Sequence, residues 1–165
     1  GVVLGALLAL ALSASRGWVY LSDEGGVERA MLDAPEAQRP QLALVAFGYW
    51  HAGLLIGIVA IAAGLKKAVG DPYEPLGGLI AFELAAGTAL FLLCEVGFRR
   101  TLGIGRSGIR IAAALAALAT IPLGTELDAK AEIGALAGIV ALALAFEGYV
   151  ARSSRRPAVG TSPVE

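Results

Sequence analysis

Charge is scarce in this sequence. Asp, Glu, Lys and Arg make up only 16% of its 165 residues, where a soluble domain carries about 25%. A soluble fold of this size could not cover its surface with so few charges, and a disordered chain or a coiled coil would need more still. The single cysteine, Cys94, excludes a disulfide within the chain. One histidine and one cysteine cannot build a zinc site. P-loop, GxSxG and HExxH patterns are all missing. Gly103-Ile104-Gly105-Arg106-Ser107-Gly108 has the glycine spacing of a dinucleotide loop, but no strand precedes it. The chain is therefore read as a non-enzyme with no catalytic residue, no metal and no cofactor. A net charge of −1 gives no reason to expect a nucleic-acid partner.

What is abundant is apolar. Hydrophobic residues reach 57% and mean hydropathy is +0.73. A bilayer core needs roughly 20 apolar residues in helix. Five segments approach that length: residues 1–22, 42–64, 78–98, 104–124 and 133–150. The expected fold is an all-α, polytopic transmembrane bundle over residues 1–150, with a disordered tail at 151–165. The absence of a basic leader before residues 1–12 makes a signal peptide a poor reading, and the chain reads as a piece of a longer protein. Short connections join the spans, except for the acidic stretch 23–40, which has room for a short helix through Leu32.

Arginine and lysine orient the bundle. Arg29, Arg39, Arg99, Arg100, Arg106, Arg110, Arg152, Arg155 and Arg156 fall on one side, and Lys66, Lys67 and Lys130 on the other. The arginine side and the tail are expected in the cytoplasm. Two small-residue stripes suit close helix contact in lipid: Gly53, Gly57, Ala60 and Gly64 in the second span, and Gly134, Gly138, Ala141, Ala145 and Gly148 in the fifth.

Ionisable residues within a span each ask for a partner. Glu95 has Arg99 four residues on, the favourable order for a helix pair. Glu147 precedes Arg152 and Arg155 and reads as snorkelling toward them. These are structural ion pairs near one membrane face. His51, near the middle of the second span, reads either as a packing histidine bonded to a carbonyl or as a functional group. Glu83 has no basic residue within a turn; it either hydrogen-bonds across a helix interface or lines a polar path. His51 and Glu83 are the candidate intramembrane polar sites, set roughly 10 Å apart in depth by counting along each span. No span holds an Asp, which argues against an aspartyl intramembrane protease.

The order of features carries a resemblance. Trp18-Val19-Tyr20 closes the first span, followed by the acidic stretch, then Tyr49-Trp50-His51, Gly57-Ile58-Val59 and Ala63-Gly64-Leu65-Lys66-Lys67. Pro75-Leu76 opens a span that closes in Phe98-Arg99-Arg100, Pro122-Leu123-Gly124 ends the fourth, and Glu147 lies near the end of the fifth. This pattern resembles the C-terminal half of the low temperature requirement protein A family of bacterial membrane proteins. The resemblance implies an inner-membrane, multi-pass protein, and an N-terminal half of the parent chain as a partner. The family's name implies a membrane role in cold growth and no particular chemistry. Transport or permeation of a small solute or ion is the leading expectation, and a non-transporting role in the envelope through helix or partner contacts is the alternative. Lipid surrounds the bundle in either case, and a homo-oligomer stays open.

Overall fold

The structure is a computed structural model, and it describes residues 26–70, 72–104 and 108–153. Helix α1 spans 26–33. Helix α2 runs over Glu36–Ala68, α3 over Gly78–Thr101 and α6 over Ala129–Ser153. Between α3 and α6 lie α4, Gly108–Leu118, and the short α5, Ile121–Glu126. Four stretches are long and apolar enough to cross a membrane: α2, α3, α4 with α5, and α6. The bundle is all-α among the described residues, as the composition requires. The first expected span, 1–22, lies outside the described residues, as does the tail beyond Ser153.

Two departures from regular helix matter. In α2, residues Leu44–Trp50 form a π-helical segment, a widening that shifts every later side chain around the axis. The fourth span breaks after Leu118: a turn at Ala119 and Thr120 precedes α5. Pro122 lacks the N–H that would reach the Leu118 carbonyl, so the helix cannot run straight through. The helix of this span is described from Gly108, and Ile104 belongs to the end of α3. Gly103, at φ 67°, donates to the Arg100 carbonyl at 3.2 Å, and the Ile104 N–H reaches the Arg99 carbonyl at 2.8 Å. This is a Schellman stop, which glycine permits because no Cβ clashes in the left-handed region. Arg99 and Arg100 sit at the negative end of the α3 dipole.

The closest helix contact is between α2 and α3. A Cβ on Gly57 would lie 2.9 Å from the Gly87 carbonyl oxygen, and one on Gly87 would lie 3.0 Å from that of Gly57. The two backbones touch, and the second-span stripe is what lets them. Further along, the Trp50 indole covers Gly97, its Nε1 donates to Thr101 Oγ1 at 2.9 Å, and Phe47 meets Phe98 edge-on at 5.5 Å. The fifth-span stripe behaves differently. A Cβ on Gly134, Gly138 or Gly148 would meet nothing within 4 Å. Helix α6 instead packs through Ile133, Leu136, Val140 and Ala143, which are buried. One cluster, Ala81, Leu84, Ala117, Ala129, Ile133 and Leu136, joins α3 to α4 and α6 near their non-arginine end. A second, Ala89, Leu92, Ala113, Ala114 and Ala143, joins them toward the other.

Candidate functional site: two acid sites between helices

The alanine face of α4, with Ala113, Ala114 and Ala117 buried, begins one turn earlier at Arg110. Helical periodicity therefore carries a guanidinium into the bundle, where it is 1% exposed. Two carboxylates meet it. Nε and Nη2 of Arg110 donate to Oε1 and Oε2 of Glu147, each at 2.7 Å. Nη1 forms an ion pair with Oε1 of Glu95. The side chains of Glu95 and Glu147 are 16% and 17% exposed. A forked arginine–carboxylate bond of this kind is both strong and directional.

The three groups come from three helices. Glu95 is about 8 Å from the middle of α3 and Glu147 about 11 Å from the middle of the α6 span, at 1.5 Å per residue. Both depths fall inside a hydrocarbon half-thickness of about 15 Å. Arg110 thus leaves the set of loop arginines; the side bias survives without it. Arg99 is half-buried one turn beyond Glu95. Of the residues expected near Glu147, Arg155 lies outside the described residues.

A second acid lies at the opposite end of the same seam. Glu132 is 0% exposed, and neither of its carboxylate oxygens has a hydrogen-bond partner. It stands in the first turn of α6, on the face that continues as Ile133, Leu136 and Val140. Its carboxyl rests against Gly124 of α5, where a Cβ would overlap Oε2. Ala81 of α3 closes the same spot. The first-turn donors that could serve it are used elsewhere: Ala131 N–H bonds Asp128 Oδ1 at 2.7 Å, and Ala129 N–H bonds the Glu74 carbonyl at 3.1 Å.

Between the two acid sites the described residues of the seam are apolar or bonded to backbone. Thr88 and Thr120 are buried there, but each hydroxyl donates back to its own helix, to Leu84 O at 2.8 Å and Ala117 O at 2.7 Å. The two apolar clusters fill the rest.

His51 and Glu83 are not brought together. Trp50 lies over Gly97 and Gly64 against Leu84, so His51 is level with about Val96. That puts it about thirteen residues along α3 from Glu83, or roughly 20 Å, which is farther than counting along the spans suggested. His51 follows directly on the π-helical segment; it is half-buried, and its Nδ1 is buried without a hydrogen-bond partner. Glu83 is half-buried one turn before Gly87, at the rim of the α2–α3 contact. Arg110 and Glu132 are the groups that reading along the chain passed over. Each extends a buried helical face one turn beyond its apolar run, and that continuation is the signal that could have found them.

The family model described as Bacterial low temperature requirement A protein (LtrA) matches residues 1–146. No curated protein and no solved structure matches the chain. The match covers most of the sequence, and the chain belongs to this family. With its long apolar helices, it is an integral membrane protein of bacterial type.

Proposed function

We propose that this member of the family moves an ion, or a small solute driven by an ion, across the bacterial inner membrane along the α3–α4–α6 seam. The observation that supports this is the composition of the Arg110 site. It holds one base and two acids from three helices at membrane depth. A structural clamp needs only one carboxylate per guanidinium. The second adds a negative charge that a proton or a cation can balance, and ionisable groups at such depth mark substrate and ion paths and proton relays. The apolar clusters between the acid sites make this conformation a closed one. His51 and Glu83 belong to the proposal as polar groups on its α2–α3 flank, and the reading is of a carrier and not of an enzyme. The arginine-rich end and the tail face the cytoplasm; a reporter fused after Ser153 should read inside, and one inserted near Glu74 outside.

A second reading has its own support. Nε, Nη1 and Nη2 of Arg110 all engage carboxylate oxygens, as they would in a clamp that only holds three helices together in a non-transporting protein. Solid-supported-membrane electrophysiology separates the two. Proteoliposomes of the full-length protein are given steps in proton, sodium, potassium and chloride concentration. A current under one of these gradients, lost in a folded Glu95→Gln variant, is the expected result. A folded wild-type protein that passes no current under any of them would leave the clamp.

A further inference from the structure

We infer that Glu132 is a proton-binding site of the bundle, occupied at neutral pH and opened to the outer surface through the 72–77 turn and α5. The inference goes beyond the transport reading and does not depend on the Arg110 site. It starts from burial without a counter-charge. Glu132 is 0% exposed and both carboxylate oxygens lack partners. An ionised carboxylate in such a place is so unfavourable that the group takes up a proton instead.

Among the described residues the surrounding charges offer no alternative. On α3 the nearest titratable group is Glu83, an acid that would oppose a second negative charge. Glu74 in the turn and Glu126 on α5 are exposed, as are Lys66 and Lys67 on α2. On α6 itself, Asp128 caps the helix through Ala131 N–H, and the Lys130 ammonium lies over the Tyr73 ring, 3.3 Å from its centroid. None of these pairs with the Glu132 carboxyl. Among the described residues no group of three or more His, Cys, Asp or Glu comes together to hold a metal ion, so the ligand of this chemistry is a proton.

The cover over the site is thin. The 72–77 turn is held across it by two backbone bonds, Leu76 N–H to the Gly124 carbonyl at 2.8 Å and Ala129 N–H to the Glu74 carbonyl at 3.1 Å. Beneath it lies α5, already severed from α4 at Ala119 and Thr120. Interrupted helices at membrane depth are tolerated where they are buried in protein or line a cavity. Here the interruption adjoins the one acid among the described residues that is fully buried. Parting two hydrogen bonds and moving a six-residue helix would expose the carboxyl to water.

Infrared spectroscopy of the full-length protein in lipid nanodiscs tests this directly. At neutral pH the wild type should show the carbonyl stretch of a protonated carboxyl, shifting in heavy water, lost in Glu132→Gln and kept in Glu83→Gln. A wild type without that band overturns the inference. So does a folded Glu132→Gln protein that keeps the full band, or loss of the band in Glu83→Gln instead. Should Glu132→Gln not fold, wild-type protein treated with dicyclohexylcarbodiimide gives the answer. Peptide mass mapping should place the adduct on Glu132, with labelling falling as pH rises; an adduct found only on other acids refutes the site. Neither readout needs flux, so an absence of current would count against the transport reading alone.

Discussion

Two acid sites stand at opposite ends of one helix seam, and they are built in opposite ways. At the arginine-rich end, Glu95 and Glu147 share the guanidinium of Arg110, and the carboxylates keep 16% and 17% exposure. At the other end, Glu132 is fully enclosed, with an alanine and a glycine against its carboxyl. The first site solves burial by pairing charge and the second by surrendering it. A charged cluster ties three helices by direction and strength. A neutral acid ties nothing and can be emptied and refilled. The same bundle therefore holds a charge-paired joint of three helices and a lone enclosed acid, about 22 Å apart along α6 at 1.5 Å per residue.

Removing the joint should have the largest effect. Arg110→Ala strands two carboxylates inside the bundle, and breaking a buried pair in this way costs about 3–5 kcal/mol. Thermal unfolding in detergent should show a large loss. Arg110→Lys should recover only part of it, because an ammonium cannot make the forked bond to Glu147. An Arg110→Ala protein of near wild-type stability would mean that the two ends are not built differently after all.

Gly124→Ala tests the enclosed end. The added methyl meets the Glu132 carboxyl, and overpacking a tight site costs about 1–3 kcal/mol. Combined with Glu132→Ala, which empties the same space, the two changes should be non-additive, since contacting residues couple by about 0.5–3 kcal/mol. Strict additivity of the melting shifts would remove the contact.

Charge deletion should separate the ends more finely. Glu147→Gln leaves Arg110 short of its forked partner, a charged hydrogen bond worth about 1.5–3 kcal/mol. Glu132→Gln replaces a neutral acid by a neutral amide of the same shape and should cost less than Glu147→Gln in the same melt. The reverse order would show that Glu132 is ionised and held by something unseen. The smallest change is expected midway along α6. Gly138→Ala places a methyl where nothing lies within 4 Å, and alanine gains helix propensity over glycine by about 0.8–1.0 kcal/mol. This variant should melt no lower than wild type, giving the baseline against which both ends are read. A clear loss would mean that another helix covers that face in the membrane.

The two glycine stripes show how far reading along the chain can go. Both have the spacing of a close helix contact, yet only that of α2 meets a partner among the described residues, with Gly57 against Gly87. Spacing tells that a face can be approached. Which neighbour approaches depends on every other face competing for it, and α6 turns its Leu136 and Val140 side inward instead.

The residues alone determined the class of the protein, the α2, α3 and α6 spans, the side bias of arginine and the presence of acids at membrane depth. These follow from the cost of placing backbone and charge in hydrocarbon, which is local and adds up residue by residue. The tertiary structure decided the pairings. Glu95 sits four residues from Arg99, but the guanidinium that it shares with Glu147 comes from Arg110, fifteen residues on and in another helix. Glu132, at the edge of an apolar run, is enclosed only because α5 breaks away and lays Gly124 on it. Such partners are set by helix register, by a glycine stop at Gly103 and by a proline break at Pro122, each shifting side chains by whole turns. A carboxylate's fate depends on the few ångströms around it, and those are filled by residues distant in the chain.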